Sequence, residues 1–576
     1  MCGIAGFVRR AGQQPEPTLL REMARHLGHR GPDDRGIHCQ GPVGLAQTRL
    51  SIIGLRTGHQ PMVSDSGRLT LAANGEIYNY VELNEKLRRR GGAPSTGSDS
   101  ESILHAYAVH GDEFVTHLRG MYAFALYDDA QQRLLLVRDR LGIKPLFYIQ
   151  LADRIAFASE IKALLPLLPR RPEVHGPALR QFLLQQFSGG EQTIVAGVRR
   201  VLPGEMLSVD GQLRVRRHRY WSPLDVTPRL IAPDDAAHEL DALLSDVMRE
   251  HMRSDVPFGL FLSGGLDSAA LAAQLQSQGA GRIRSFSVGY RGTAMAHELD
   301  EAKRIADWFG FEHQALKLSL EQVFARIPFS IWAADELMRD YACLPTTILA
   351  ETAAQGLKVV FSGEGGDEVF AGYRRYRPTW IERWSKSLLF PGSAGFRARA
   401  QWSRRWTRRL FGPALAGMEG SARQPFVDAW QSTPSAWSDL QRRQYTDLVT
   451  ALPDNLLVKT DRMLMAFGLE GRVPFLDHRL VEFGLSLPDD QKVRARTGKW
   501  LLRQWAEPRL PPGHLGRPKR GFHVPVGDWL TGDIVTRVGQ ALLRNRGIRD
   551  WFQVDAIPTL VTARKANHGG SRELFG

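Results

Sequence analysis

Cysteine is scarce in this chain, with three copies among 576 residues: Cys2, Cys39 and Cys343. Three scattered cysteines are too few for a disulfide framework or a zinc cluster, which argues against a disulfide-rich secreted scaffold or a zinc-finger protein. The count predicts a reducing compartment, in which a lone cysteine is either buried or reactive.

Long apolar runs are also missing. No stretch approaches the ~20 consecutive apolar residues that a membrane-spanning helix needs. The first ten residues lack the basic lead and apolar run of a secretory signal. The sequence therefore predicts a cytoplasmic protein with no membrane span. Because a chain of this length exceeds a single hydrophobic core, two or more domains are expected.

Acidic residues are outnumbered, and the net charge is +14. Much of the excess lies between Tyr373 and Leu410, where eleven Lys or Arg residues accompany one acid, Glu382. The same segment holds two tryptophan pairs at helical spacing, Trp380 with Trp384 and Trp402 with Trp406. We interpret it as two helices that pack tryptophans inward and present arginines to solvent; contact with a membrane surface or a polyanion is the alternative. No zinc-finger spacing, RNA-binding motif or heptad accompanies the charge, so no nucleic-acid partner is expected.

The chain divides into two parts of different character. Residues 1–210 are rich in short β-type runs with glycine turns, which predicts stacked antiparallel sheets with helices outside. Residues 211–240 form a proline-containing link. Within residues 241–576, apolar strands alternate with helices, which predicts a parallel α/β sheet, followed by a mostly helical part from about Arg374 onward.

Cys2 is a candidate nucleophile because it follows a removable methionine. Without Met1, its α-amine would lie beside its own thiol. An α-amine titrates near ~8, so it can accept the thiol proton close to neutral pH. One residue would then supply both the nucleophile and the base.

Several ordered motifs follow Cys2. They are His29-Arg30-Gly31-Pro32-Asp33, Arg49-Leu50-Ser51-Ile52-Ile53, Asn74-Gly75-Glu76-Ile77-Tyr78-Asn79, Thr96-Gly97-Ser98-Asp99-Ser100-Glu101 and Arg138-Asp139-Arg140-Leu141-Gly142. With them, residues 1–210 resemble the N-terminal-nucleophile glutaminase domain of class II glutamine amidotransferases. The resemblance implies an αββα sandwich that hydrolyses glutamine at Cys2.

The residue types suit the parts of glutamine. Arg49 can hold the carboxylate through two hydrogen bonds, and Asp99 can pair with the ammonium group. In the family, the Asn74 side-chain NH₂ and the Gly75 backbone N–H stabilise the oxyanion formed at the amide. Taken singly, Arg49 could be a surface ion pair and Asn74-Gly75 a hairpin turn. The resemblance implies this glutamine-binding set: Arg49, Leu50, Ser51, Ile52, Ile53, Asn74, Gly75, Glu76 and Asp99.

A second loop, Ser263-Gly264-Gly265-Leu266-Asp267-Ser268, stands between an apolar strand and a helix. In that setting backbone N–H groups and the helix N-terminus can bind phosphate, although a simple strand-to-helix turn is the alternative. The loop lacks the Walker A and Gly-x-Gly-x-x-Gly patterns. It resembles the pyrophosphate loop of ATP pyrophosphatases, which split ATP into AMP and pyrophosphate.

Asp267 lies within this phosphate loop, where an unpaired carboxylate would repel the substrate. A Mg²⁺ ion between them resolves the conflict, because hard oxygen ligands suit that ion. A second glycine-rich turn, Ser362–Glu368, follows another apolar strand. By resemblance to asparagine synthetases, Asp367 is the second metal carboxylate, and Glu364 serves intermediate formation and deprotonates ammonia. The same resemblance implies this ATP site: Leu262, Ser263, Gly264, Gly265, Asp267, Ser268, Val288, Ser362, Gly363 and Lys519.

The combination resembles an asparagine synthetase over nearly the whole chain. It implies that ammonia from glutamine displaces AMP from an aspartyl adenylate, with ATP as co-substrate and an enclosed passage between the domains. Two alternatives remain open: the same mechanism acting on another carboxylate, such as a sugar acid or a peptide, and a non-enzymatic regulatory homologue. A homodimer is a family expectation.

Overall fold

The computed structural model describes residues 2–92, 94–168, 172–290, 296–398, 400–418, 420–516 and 532–566. Lys519, which the sequence analysis assigns to the ATP site, lies outside these ranges. None of the helices in the described ranges combines the length and apolar character that a bilayer crossing requires.

The N-terminal part contains two six-stranded antiparallel sheets. Their strands are β1 (Cys2–Arg9), β2 (Asp34–Gln40), β3 (Val43–Arg49), β4 (Met62–Val63), β5 (Leu69–Ile77), β6 (Gly120–Asp128), β7 (Arg133–Arg138), β8 (Phe147–Gln150), β9 (Arg154–Ala158), β10 (Val198–Arg200), β11 (Glu205–Asp210) and β12 (Val215–Arg219). The strand orders in the two sheets are β10-β8-β9-β1-β3-β2 and β12-β11-β7-β6-β5-β4.

The two sheets stack face to face with helices on both outer sides. Apolar side chains of both sheets, among them Ile4, Leu45, Ala125 and Leu136, form one core between them. Outside one sheet lies α1 (Pro17–Arg25), and outside the other lie α2 (Tyr80–Arg88) and α3 (Glu101–His110). A further helix, α4 (Gly176–Gln185), follows. The predicted αββα sandwich is confirmed, and its second sheet continues to Arg219.

The second part is built on a five-stranded sheet of order β15-β14-β13-β16-β17, in which all neighbouring strands are parallel. Its strands are β13 (Phe258–Phe261), β14 (Arg284–Tyr290), β15 (Glu312–Leu318), β16 (Val359–Phe361) and β17 (Glu470–Arg472). Because β13 and β16 pair directly, the loops that follow them emerge side by side at the carboxyl edge of the sheet. The predicted parallel α/β domain is confirmed.

Helices cover both faces of this sheet and make up most of the remaining chain. They are α5 (Pro233–His251), α6 (Leu266–Ser277), α7 (Ala296–Phe309), α8 (Leu320–Ala325), α9 (Ile327–Ala334), α10 (Cys343–Ala353), α11 (Gly366–Val369), α12 (Trp380–Leu389), α13 (Arg404–Leu410), α14 (Pro413–Ala416), α15 (Gln424–Gln431), α16 (Asp439–Val449), α17 (Leu457–Met465), α18 (His478–Ser486), α19 (Asp489–Lys492), α20 (Trp500–Ala506), α21 (Gly532–Arg544) and α22 (Ile557–Lys565). A two-stranded ribbon joins β18 (Val493–Arg494) to β19 (Thr497–Gly498).

The tryptophan-rich segment folds differently from its prediction in one half. Trp402 and Trp406 are buried, as predicted. Trp380 and Trp384 on α12 are 78% and 65% exposed, so the prediction that they pack inward is wrong. The polar side of the helix contacts the protein instead: Arg383 pairs with Asp439 of α16 at 2.9 Å, and the chain at Gly395 packs against Lys386.

Candidate active sites

Cys2 begins β1 at the centre of the first sheet and is buried. It stands opposite Arg49 in the β1–β3 register. Its backbone N–H donates to Asn74 Oδ1 at 3.0 Å, and Arg30 Nε donates to its carbonyl oxygen at 3.1 Å. Burial raises the pKa of the Cys2 thiol, whereas a hydrogen bond from the Leu50 N–H and the charge of Arg49 act in the opposite direction.

Asn74 is fully buried on β5, and one of the two polar atoms of its side-chain amide makes a hydrogen bond to a described residue. Oδ1 accepts from Cys2, whereas Nδ2 has no hydrogen-bond partner among the described residues. A buried donor without a partner costs about 1–3 kcal/mol, so such a group marks a place where a ligand oxygen can bind. The next residue must be glycine, because a Cβ at Gly75 would lie 2.1 Å from the Met121 carbonyl oxygen on β6.

The other predicted glutamine-binding residues surround this pair. The Arg49 guanidinium donates to the carbonyls of Ile53 at 3.2 Å and Gly54 at 2.8 Å, which shapes the turn after Leu50, Ser51 and Ile52. Asp99 accepts from the Ile77 N–H at 2.7 Å, just beyond Glu76 on β5.

Two carboxyl groups at this site have perturbed acidities. Burial raises the pKa of Asp99 to about 6. Burial also raises the pKa of Glu76 well above its usual value, and the Glu470 and Asp99 carboxylates add to the effect. Glu470 lies on β17 of the second domain, so that domain contributes to the electrostatics of the Cys2 site.

The predicted phosphate loop lies at the carboxyl end of β13. Its serine hydroxyls hold it closed: Ser263 Oγ lies 3.1 Å from Ser268 Oγ and accepts from the Gly265 N–H at 3.3 Å. Gly264 has a φ of +73°, and a Cβ there would come within 2.9 Å of Glu301 Cβ on α7. A side chain at this position would therefore meet both strain and crowding.

The second glycine-rich turn touches the first. A Cβ at Gly363 would lie 2.9 Å from Asp267 Cβ, and one at Gly366 would lie 2.6 Å from Asp267 Oδ1. Ser362 N–H donates to the Arg472 carbonyl at 2.9 Å, which fixes the start of the turn against β17. Of the remaining predicted ATP-site residues, Leu262 directly follows β13 and Val288 lies within the neighbouring strand β14; both are buried.

One lysine that the sequence analysis missed joins the two turns. Lys499 Nζ lies 2.6 Å from Asp267 Oδ1 and 2.6 Å from Asp367 Oδ1, and the side chain is buried. Burial disfavours its charge, but the two carboxylates outweigh that effect and raise the pKa of Lys499. No local pattern in the sequence marks Lys499, because its partners Asp267 and Asp367 lie far away along the chain.

Asp267 and Asp367 also fit a magnesium ion. Mg²⁺ is commonly held by one or two protein carboxylates, with water and substrate phosphates completing its shell. Within the described ranges, no group of three or more His, Cys, Asp or Glu residues gathers in a way that could hold a metal by itself. The donor set therefore suits an ion that arrives with a phosphate ligand.

Glu364 lies in the same turn and faces α17. Lys459 Nζ is 3.0 Å from Glu364 Oε1, and Thr460 Oγ1 donates to the same oxygen at 3.4 Å. Lys459 also approaches Asp340 at 3.5 Å. Burial disfavours the charge on Lys459, but Glu364 and Asp340 outweigh it and raise the lysine's pKa. Sequence reasoning did not identify Lys459.

The next two residues of α17 connect this pocket with the Cys2 site. Asp461 pairs with Arg30 at 2.9 Å, and Arg462 pairs with Glu160 at 2.9 Å. Arg30 also pairs with Glu160 at 2.9 Å while it contacts the Cys2 carbonyl. A buried chain of ion pairs therefore runs from the backbone of Cys2 to the helix that holds Glu364.

Two family models match the chain. The glutamine amidotransferase domain matches residues 1–221, and asparagine synthase matches residues 239–574. Asparagine synthetase [glutamine-hydrolyzing] 1 of Bacillus subtilis is 32% identical over 93% of this chain and 88% of that protein. A putative asparagine synthetase of Mycobacterium tuberculosis is 34% identical over 92% of this chain and 88% of that protein.

A relative with a different name aligns as completely. Amidase chry2 of Gibberella zeae is 28% identical over 96% of this chain and 93% of that protein. The asparagine synthase model by itself covers more than half of the chain, and its match follows that of the glutamine amidotransferase model. The chain therefore belongs to the asparagine synthase family, with an N-terminal glutamine amidotransferase domain.

Proposed function

We propose that this enzyme hydrolyses glutamine at Cys2 and uses the ammonia to convert aspartate into asparagine, with ATP cleaved to AMP and pyrophosphate. The observation that carries the proposal is the contact of Lys499 with both Asp267 and Asp367 beside the phosphate loop. This arrangement suits a departing pyrophosphate, and it occurs in a chain whose first strand begins at Cys2 beside Asn74.

In the first half-reaction, removal of Met1 exposes the α-amine of Cys2. The amine accepts the thiol proton, and the thiolate attacks the amide carbon of glutamine. Asn74 Nδ2 and the Gly75 N–H donate to the resulting oxyanion. The amide nitrogen leaves as ammonia with the proton held on the amine, and water then cleaves the thioester to release glutamate. Arg49 and Asp99 would hold the carboxylate and ammonium ends of glutamine.

In the second half-reaction, a carboxylate oxygen of aspartate attacks the α-phosphorus of ATP, and the bond to pyrophosphate breaks. Backbone N–H groups of Ser263–Ser268 bind phosphate oxygens, and Lys499 neutralises the charge that pyrophosphate carries away. Asp267 and Asp367 would hold Mg²⁺, which supplies further positive charge to the phosphates when bound.

Amide formation completes the reaction. Ammonia attacks the activated carboxyl carbon, AMP leaves, and Glu364 accepts the proton that the new nitrogen sheds. Lys459 Nζ, 3.0 Å from Glu364 Oε1, holds that carboxylate in place. The buried ion pair between Arg30 and Asp461 joins the two domains between the Cys2 site and the Glu364 pocket. A closed interface at this place keeps ammonia and the adenylate away from bulk water.

The chemistry requires Cys2 as a free thiol, and a reducing compartment such as the cytoplasm supplies that condition. All three cysteines are unpaired in the structure. A homodimer remains a family expectation.

The test follows the nitrogen and the pyrophosphate together. Purified enzyme receives [amide-¹⁵N]glutamine, aspartate and MgATP, and products are identified by mass spectrometry. We expect ¹⁵N in the side-chain amide of asparagine, with one pyrophosphate released per asparagine. Pyrophosphate release that appears only with a sugar acid or a peptide, and not with aspartate, would replace the acceptor while keeping the mechanism. If no carboxylate elicits pyrophosphate release, the proposal is wrong.

A further inference from the structure

The most exposed apolar surface of the described residues is on α12 (Trp380–Leu389). Four of its side chains are exposed and fall on one side of the helix: Trp380 at 78%, Ile381 at 57%, Trp384 at 65% and Leu388 at 66%. Leu389 beside them is 73% exposed, and no residue of the helix is buried. An apolar stripe of this kind on a soluble surface marks an interaction site.

The helix is fixed to the protein by its polar side. Arg383 pairs with Asp439 at 2.9 Å, and a Cβ at Gly395 would lie 2.3 Å from Lys386 Cβ, so the chain around Gly395 packs directly on this side. A capping box between Thr379 and Glu382 closes its N-terminus. The helix is therefore formed and oriented by local contacts, with its apolar stripe directed outward.

Positive charge dominates the chain around the stripe. The segment from Tyr373 to Leu410 carries eleven Lys or Arg residues and a single acid, Glu382. Arg374 and Arg496 are exposed, and Arg377, three residues before α12, donates to the Arg496 carbonyl, which places these cations near the start of the helix. Tryptophan and leucine beside a rim of arginines match the composition of helices that lie in the interface of an anionic bilayer.

We propose that α12 is a docking surface for an anionic phospholipid membrane, with Trp380, Trp384 and Leu388 inserted at the level of the headgroups. A second copy of the chain fits this surface less well, because two such faces would bring like charges together. Nucleic acid would meet the arginines but would leave the aliphatic side chains without an apolar partner. The docking goes beyond glutamine-dependent amidation and does not depend on it.

The segment just before α12 is connected by hydrogen bonds to the second glycine-rich turn of the second domain. Arg377, just before the helix, donates to the Gly372 carbonyl at 3.2 Å, and the Gly372 N–H donates to the Asp367 carbonyl at 2.8 Å. Two hydrogen bonds therefore link the segment just before α12 to the turn that carries Asp367.

Vesicle flotation of the full chain tests the proposal. Vesicles of phosphatidylcholine with 30% phosphatidylglycerol are compared with pure phosphatidylcholine, at low and high salt. We expect binding to the anionic vesicles only. The triple variant W380S/W384S/L388S should lose it, since burial of one large apolar side chain changes partitioning about tenfold to a hundredfold.

The charge and position controls separate the contributions. R374A/R496A should weaken binding about twenty-five-fold, at about fivefold for each cation. Trp308 on α7 is also exposed, and lies beside the Lys303–Asp307 ion pair, so W308S should bind as the unmodified chain does.

Three results would overturn the proposal: no binding to anionic vesicles, equal binding by the triple variant, or a dimer that W380S/W384S/L388S dissociates in the absence of any vesicle binding. Unchanged ammonia-dependent amidation in the triple variant shows that it is folded, so that loss of vesicle binding is attributable to the stripe.

Discussion

Replacing Asn74 by alanine separates two roles of one amide. Oδ1 accepts from the Cys2 N–H at 3.0 Å, and Nδ2 has no partner among the described residues. Loss of this acceptor leaves the buried Cys2 N–H without a partner, so the free energy of unfolding should fall by ~1–3 kcal/mol, whereas removal of the already unpaired Nδ2 should cost folding nothing. Loss of one oxyanion donor, in contrast, should lower kcat for glutamine hydrolysis by about 10²–10³, which corresponds to roughly 2.7–4 kcal/mol.

The assay measures three quantities on the same preparation: glutamate release from glutamine, asparagine formation from ammonium salts, and the melting temperature. Only glutamate release should fall by orders of magnitude, because ammonium salts bypass the Cys2 site. Asn84→Ala is the matched control, since Asn84 is a buried asparagine on α2 whose Oδ1 has no hydrogen-bond partner within the described part of the chain. The reasoning is refuted if Asn74→Ala hydrolyses glutamine within threefold of the unmodified enzyme, or if ammonia-dependent synthesis falls in parallel.

Three further predictions concern the same machinery. Burial raises the pKa of Asp99 to about 6, so this carboxyl is increasingly protonated below pH 6 and loses the charge that pairs with the ammonium group of glutamine. The KM for glutamine should therefore be about tenfold higher at pH 5 than at neutral pH. Asp99→Asn should remove this pH dependence of KM. Glu364→Gln should lower asparagine formation from either nitrogen source by at least about 10²-fold while glutamate release continues, and equal loss of both activities would contradict the assigned role. Asp461→Asn removes the negative charge that pairs with Arg30 and Lys144 in a buried interface, so the free energy of unfolding, measured by calorimetry, should fall by about 3–5 kcal/mol. The variant should also form more than one glutamate per asparagine. An unchanged product ratio would show that these ion pairs do not couple glutamine hydrolysis to asparagine formation.

The architecture was largely predictable because apolar periodicity and turn residues mark most strands and helices. The short β-type runs predicted within residues 1–210 correspond to strands of the two antiparallel sheets, among them β1 and β6. The missed strand β17 reads Glu470-Gly471-Arg472 and is fully buried. Its two charged side chains pair with each other at 2.6 Å, and this compensation cannot be read from hydropathy.

The residues proposed to bind glutamine could be selected as a set because they belong to ordered motifs close in sequence, and the structure brings Cys2, Arg49 and Asn74 together. The lysines could not. Lys499 and Lys459 meet their carboxylate partners across long separations in sequence, and a lysine has no local pattern that distinguishes a buried ion pair from a solvated side chain. The outward orientation of α12 was missed because the helical spacing places its tryptophans on one side of the helix without showing which side the rest of the chain covers.

The most direct test of the account is Cys2→Ala, assayed with glutamine and with ammonium chloride as alternative nitrogen donors. The account predicts that asparagine formation from glutamine disappears, whereas formation from ammonia proceeds at the rate of the unmodified enzyme with unchanged pyrophosphate stoichiometry. Glutamine-dependent synthesis that persists in Cys2→Ala would contradict the central claim that this thiol releases the nitrogen used in the second domain.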